Sequence, residues 1–385
     1  MTSTSCEAAA RRVLDDCLAG RAPERLPAEL LEDSCARWLF GVLVEGLADR
    51  FEPALCDVYA NLFSQALPGT DLARYERIRR PRPVGCDPQR VYVLSRITLG
   101  ADIAVTSVLI DAAKRRFPNA PIVFVGPQKN YELFADDPRV MHAPLEYRRG
   151  TLRDRLEAAH DLARIVDDLV IDPDSRLTQL GLLPVGDEGC YHLFESRRYG
   201  GESAEALPEL AAKWAAATFG VTDAKPYIAV RREPVPLPAE YIAVSLGVGE
   251  NPAKRLADPF EAELLKLLGT RHRLVIDRGA GGEESARVER AVAAARVTPA
   301  YWDGSFAGFA GIVSGAQLYV GYDSAGQHAA AAAGVPLITI FAGFPAPRMF
   351  DRWRPVAHNA TVIRCDSPDP ETALSAVREA LLPQR

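Results

Sequence analysis

The stretch Tyr319-Val320-Gly321-Tyr322-Asp323-Ser324-Ala325-Gly326-Gln327-His328, running on through an alanine run to Gly334-Val335-Pro336, decides the reading of this chain. It reads as a buried strand, a tight acidic turn, a helix start and then, over 336–341, a second strand. Strand, helix and strand in succession are the unit of a parallel sheet covered by helices. Asp323 and Ser324 fall where the strand gives way to the helix. Unpaired backbone N–H groups and the helix dipole attract a phosphate there. Ser324 is placed to cap the helix, and Asp323 to accept hydrogen bonds from sugar hydroxyls. With Ala325, Gly326 and His328 in the first turns of the helix, this is the chemistry a nucleotide-sugar needs.

The same alternation recurs on both sides of this stretch. Upstream, Tyr241-Ile242-Ala243-Val244-Ser245-Leu246 and Arg273-Leu274-Val275-Ile276-Asp277 are expected strands, with a helix over 259–268 between them. An earlier set comprises Val91-Tyr92-Val93-Leu94-Ser95, Pro121-Ile122-Val123-Phe124-Val125-Gly126 and Asp168-Leu169-Val170-Ile171-Asp172, with helices over 102–117 and 152–165. The fold class is therefore α/β, with two Rossmann-like domains facing a cleft. Residues 1–85 differ: their apolar positions repeat at helical spacing and strand signals are scarce. The expected division is a helical extension over 1–85, a first Rossmann-like domain over 86–222 and a second over 223–385, with a linker over 80–88. The extension is a candidate surface for homodimerisation or acceptor docking, or else a packing cap on the next domain.

Bulk properties fit this picture. A chain of 385 residues is long enough for two domains. Its net charge of -6 argues against general affinity for nucleic acid. Local basic clusters, Arg77 to Arg82 and Arg148-Arg149 with Arg153 and Arg155, read as solvated surface. The seven cysteines include no C-x-x-C pair, so reduced thiols in a cytoplasmic protein are expected. Neither a signal peptide nor an apolar run of ~18 residues is evident, which leaves peripheral membrane contact at most.

Ligands in such sheets sit beyond the carboxyl ends of the strands, and the polar motifs fall there. After the first strand, Ser95-Arg96-Ile97-Thr98-Leu99-Gly100-Ala101-Asp102 offers Asp102 as a general base or a helix cap. Arg96 and Thr98 are placed to contact a substrate. In the second domain Ser245, Gly247 and Gly249 expose backbone N–H groups, and Lys254 supplies a point charge for a diphosphate. Gly279 and Gly281 form a second turn, followed by Glu283 and Glu284 as candidate ribose contacts. On the acceptor side the candidates are Asp172, Asp174, Arg176, His192, Glu195, Arg197 and Arg198. Asp172-Pro173-Asp174 lacks further nearby ligands, so no metal is expected there.

Taken together these residues resemble glycosyltransferase family 9, the bacterial heptosyltransferases of lipopolysaccharide core assembly, over roughly 90–360. Asp323-Ser324 through His328 is close to the family's Asp-Ser/Thr-Gly-x-x-His pattern. Leu99-Gly100-Ala101-Asp102, with Pro118-Asn119-Ala120 downstream, is similar to the family's Gly-Asp turn and Phe-Pro-x-Ala. The resemblance implies a GT-B fold with acceptor on the first domain and donor on the second. It implies an inverting, metal-independent transfer with no cofactor, ADP-heptose as donor, a saccharide or lipid-linked acceptor, and a place at the inner face of the cytoplasmic membrane. It makes Asp102 the base, Lys254 the diphosphate ligand, and Asp323 with Ser324 the sugar and phosphate ligands. Ala101 is inserted before Asp102, Ala325 replaces the motif glycine, and residues 1–85 have no counterpart in the family pattern. The rival readings are a non-catalytic nucleotide-sugar sensor or assembly subunit, and an epimerase or hydrolase on the same fold.

Overall fold

The computed structural model describes residues 3–231, 236–249, 251–279 and 281–382. Glu250 and Ala280, within the two glycine turns, lie outside the described residues. The chain divides into two compact units, the first made of 1–98, 105–131 and 138–225, the second of 99–104, 132–137 and 226–385.

The first unit holds a five-stranded sheet in the order β3-β2-β1-β4-β5. Its strands are β1 (Val91–Leu94), β2 (Ile122–Gly126), β3 (Val140–Pro144), β4 (Leu169–Asp172) and β5 (Tyr191–Leu193). All pair in parallel, with Val91 opposite both Ile122 and Leu169. β1, β2 and β4 are apolar at nearly every position because helices cover both faces of a parallel sheet. The helix Leu152–Ile165 begins at a capping box between Thr151 and Asp154.

The helical extension packs on this sheet domain as part of one core. Leu39, Leu43, Tyr59 and Phe63 share a hydrophobic cluster with Leu94, Val125, Val170 and Leu193. Tyr59 donates to the Gln179 carbonyl at 2.9 Å. The guanidinium of Arg155 lies 3.7 Å from the Phe40 ring centroid, a cation–π contact sheltered from water. The expected linker is also tied down, with Val84 N–H donating to the Thr218 carbonyl. In the basic cluster just before it, Arg77 pairs with Glu188, and Arg79 with Asp57, Glu76 and Glu195.

One expectation is corrected here. Cys6 and Cys35 form a disulfide, with Cα atoms 5.2 Å apart, so the thiols are not all reduced. The helix Ser3–Leu18 and the short turn Asp33–Cys35 bring together two cysteines 29 positions apart, which no local spacing signals. Cys17, Cys56, Cys86, Cys190 and Cys365 are free.

The second unit holds a six-stranded parallel sheet in the order β11-β10-β9-β6-β7-β8. The strands are β6 (Ile242–Ser245), β7 (Leu274–Asp277), β8 (Ala300–Trp302), β9 (Leu318–Tyr322), β10 (Leu337–Ala342) and β11 (Ala360–Cys365). Strand order reverses between β6 and β9, where Ser245 sits opposite Gly321. The first sheet reverses between β1 and β4. Such switch points open crevices at the carboxyl ends of strands. Among the described residues no helix is long and apolar enough to cross a membrane.

Candidate functional site

The β6/β9 switch point carries a connected cluster of polar side chains. β9 ends at Tyr322, and after Asp323 and Ser324 the helix Ala325–Ala332 begins. Asp323 is only 4% exposed, and both its carboxylate oxygens have partners. Oδ2 accepts from Lys254 Nζ at 2.6 Å, and Oδ1 from Gln327 Nε2 at 2.5 Å. Lys254 also donates to the Asp323 carbonyl at 3.2 Å. Gln327 is fixed in turn, accepting from Thr339 Oγ1 at 2.8 Å and donating to the Trp353 carbonyl at 3.3 Å. Lys254 arrives on the turn Pro252–Lys254, which the Asn251 side chain caps. A buried carboxylate at a helix start, held by an ammonium and an amide, is a rigid polar platform.

Ser324 occupies the N-cap position with extended backbone, but its side chain makes no capping bond, contrary to expectation. The hydroxyl of this half-buried residue is left for another partner, and the first N–H groups of the helix keep their polarity. His328, one turn further, is buried, its ring edge-on to Trp353 at 5.9 Å between centroids. Burial pushes its pKa down to about 4, opposed by Asp323 and aided by Lys254, so the ring is neutral at pH 7. His328, expected to point at the sugar-phosphate, is thus a buried, neutral ring packed against Trp353.

The glycine turns flank this platform. Ser245 Oγ lies 3.3 Å from Asp277 Oδ2 across the ends of β6 and β7, and burial raises the Asp277 pKa. A Cβ at Gly247 would stand 2.6 Å from Glu284 Oε1, and one at Gly279 would stand 2.5 Å from Glu284 Cδ. Both positions therefore lack a side chain so that the Glu284 carboxyl can enter between the turns. Gly279, at φ 76°, also has a backbone that favours glycine. Of the two candidate ribose contacts, Glu283 is exposed on the helix Gly282–Ala295 and Glu284 takes the inward position. Gly249 and Gly281 are exposed, with positive φ.

The segment Leu99–Ala104 belongs to the second unit and meets the same helix. A Cβ at Gly100 would lie 3.2 Å from His328 Cδ2 and 3.3 Å from Ala325 Cα, so a side chain there would push these neighbours back by a few tenths of an ångström. Helix Leu99–Ala101 passes into a π-helical turn, Asp102–Thr106, and continues as Ser107–Arg116. A π turn is how a helix absorbs one extra residue, and such turns concentrate at functional sites. Asp102 opens that turn and is buried. Just before it, Ile97 has φ 75°, an outlier for a β-branched residue. Its N–H donates to Ser95 Oγ at 2.8 Å. Thr98 is exposed.

In the first unit most acceptor candidates turn inward. Asp172 is completely buried and accepts from Ser175 N–H at 2.6 Å, from Thr178 Oγ1 at 2.5 Å and from the Tyr191 hydroxyl. Its pKa is pushed up to about 6 by burial, against those hydrogen bonds. Asp174 pairs with Arg197 through Nε at 2.9 Å and through a terminal nitrogen at 3.0 Å, both residues being buried. Arg96 donates to the Pro173 carbonyl and to Ser196 Oγ. Glu195 accepts from the Tyr75 hydroxyl at 2.6 Å. Arg176 reaches Glu45 of the extension at 3.6 Å, and Arg198 pairs with Asp57. His192 is buried, its Nε2 without a partner among the described residues, and burial lowers its pKa to about 4. Glu195, Arg176 and Arg198 tie the extension to the sheet domain, whereas Asp172, Asp174 and Arg197 are buried and hydrogen-bonded within the sheet domain, surroundings that favour a structural role over the expected acceptor contact. Among the described residues no group of three or more His, Cys, Asp or Glu could hold a metal ion.

Sequence reasoning missed Gln327 and Tyr319. Gln327 stands four positions after Asp323, a helical spacing that places both on one face. Tyr319 gave no polar signal, because a strand tyrosine reads as core.

Comparison with known proteins agrees with this architecture. Residues 192–377 match the model of glycosyltransferase family 9 (heptosyltransferase). No curated protein sequence matches the chain. Among solved structures, a glycosyl transferase family 9 protein from Veillonella parvula is 16% identical with a TM-score of 0.57, covering 77% of this chain and 98% of that one. The ADP-heptose LPS heptosyltransferase II of E. coli is 18% identical with a TM-score of 0.54, covering 76% and 98%. The E. coli heptosyltransferase WaaC with ADP is 18% identical with a TM-score of 0.56, covering 75% and 98%. At these identities the likeness concerns the fold. The family model matches residues 192–377, a little under half of the chain, so the chain is similar to glycosyltransferase family 9 over that part, and its α/β architecture is that of the GT-B heptosyltransferase structures.

Proposed function

We propose that the protein moves a sugar from a nucleotide-sugar to a hydroxyl acceptor by direct, metal-independent displacement with inversion at the anomeric carbon. The observation that carries this reading is Lys254, held against Asp323 at the start of the Ala325–Ala332 helix and at the switch point of the sheet. An ammonium has three donors, and the Asp323 carboxylate and carbonyl take two, leaving one for a diphosphate. In the proposed step the acceptor oxygen attacks the anomeric carbon and gives its proton to Asp102. The bond from that carbon to the phosphate oxygen breaks, and its electron pair leaves with the nucleoside diphosphate. Lys254 and the helix N–H groups stabilise the charge that develops there.

The donor proposed first is an ADP-sugar, with heptose as the leading candidate, because an E. coli heptosyltransferase of the same fold has been solved with ADP-2-deoxy-2-fluoro heptose. A saccharide, free or lipid-linked at a membrane surface, is the proposed acceptor. Calorimetric titration with ADP, UDP, GDP and dTDP, with magnesium and with a chelator, tests the reading. Micromolar-range binding of one nucleotide, unchanged by the chelator, is expected. Silence with all four removes the donor site and the transferase reading with it.

A further inference from the structure

Tyr319 lies on β9 with its side chain completely buried, and its hydroxyl makes no hydrogen bond to any described residue. A phenol without a partner in the interior costs stability, and phenylalanine would fill the same space without that cost. The surroundings show that the hydroxyl is accommodated at the expense of neighbouring side chains. A Cβ at Gly326 or at Gly321 would run into it, so both positions lack a side chain where the tyrosine passes beneath the helix start. This explains why the glycine of the motif stands at 326 and alanine at 325.

The group is also well directed. The Ser324 and Ser245 hydroxyls lie beside it and favour its ionised form, but burial outweighs them and keeps the phenol protonated, hence a donor. Ser324 itself is half-buried and caps nothing. Two hydroxyls, one sealed in the core and one open, therefore converge on the first turn of the Ala325–Ala332 helix.

We propose that Tyr319 is a positioning residue for the donor's diphosphate: its O–H donates to Ser324 Oγ, which turns the Ser324 hydrogen outward onto a phosphate oxygen at the helix N-terminus. A hydroxyl that accepts one hydrogen bond donates a stronger one, so the pair acts as a relay completed by the anion. This rests on the donor reading above and adds a residue outside the family motif. The relay predicts that Tyr319→Phe binds the nucleoside diphosphate about 5–10-fold more weakly, as for one lost hydrogen bond between neutral groups. Its melting temperature should equal or exceed that of the wild type. Ser324→Ala should lose at least as much affinity, and the Tyr319→Phe/Ser324→Ala double variant no more than Ser324→Ala alone.

Titration of the four proteins with ADP, UDP, GDP and dTDP decides it. Wild-type affinity in Tyr319→Phe overturns the relay while leaving the donor site intact. Additive losses in the double variant, or a lowered melting temperature with unchanged affinity, overturn it as well. Absence of binding by the wild type overturns the donor reading and the relay together.

Discussion

Lys254 Nζ lies 2.6 Å from Asp323 Oδ2, joining the turn after β6 to the turn after β9 at the point where the sheet reverses its order. The pair is largely withdrawn from water, with side-chain exposures of 17% and 5%. Neither charge stands well alone in such a place, since removing one partner strands the other. The ion pair therefore holds the site in register, and the proposed chemistry borrows the ammonium from it.

If Asp102 is the base, Asp102→Asn should lower turnover by about 10²–10⁴-fold, the usual contribution of general base catalysis. Nucleotide affinity should stay within about twofold of wild type, because the amide conserves shape. Acceptor-dependent release of nucleoside diphosphate, measured beside a binding isotherm, checks both. Unchanged turnover would remove Asp102 from the chemistry.

The interior of the fold was legible in the sequence and its margins were not. β1, β2, β4, β6, β7, β9 and β10 were all expected within about a residue, and each lies inside its sheet. The unexpected strands, β3, β5, β8 and β11, are the edges of the two sheets. An edge strand is short or half-exposed, as in Tyr191-His192-Leu193 and Ala300-Tyr301-Trp302, and lacks the apolar run that marks a buried parallel strand. The site follows the same rule. Asp323, Ser324 and Lys254 stood out because turn position and residue type coincide, and the structure brings Lys254 against Asp323. Asp172 and Arg197 misled because a polar residue after a strand reads the same whether it faces ligand or a partner inside the protein. The choice between Glu283 and Glu284 depends on helix phase, which begins in a glycine turn without a fixed start.

Arg197 offers a direct check on that correction. Its guanidinium and the Asp174 carboxylate are both buried, so Arg197→Met should cost about 3–5 kcal/mol by leaving Asp174 unpaired. Urea unfolding should show the loss, and adding Asp174→Asn should recover part of it. Nucleotide affinity of the folded variant should be unchanged. Wild-type stability with impaired acceptor use would return Arg197 to the acceptor side.

Acid should destabilise the protein through its buried histidines. His192 and His328 have pKa values of about 4 in the fold and ~6.5 unfolded, so their contribution is complete above ~6.5 and is lost as pH falls towards 4. Asp172, raised to about 6, works oppositely: its contribution is complete below ~3.9 and is lost as pH rises through 6. Asp277 and Glu195, also raised by burial, act in the same direction as Asp172, so the histidine contribution is read by difference against a variant that lacks it. Between pH 7.5 and 4.5 the wild type should lose about 2–3 kcal/mol more than His328→Gln, read from urea midpoints at each pH. Equal losses would mean that His328 is not held neutral by burial.

The central claim is that Lys254 and the helix start at Asp323 bind a nucleoside diphosphate. Calorimetric titration of ADP into wild type and Lys254→Ala, on folded protein verified by its melting curve, tests it most directly. Micromolar-range binding by the wild type is expected, with affinity weaker by at least about tenfold in the variant, as for loss of a charge-assisted hydrogen bond. Equal affinity in the two proteins would contradict it.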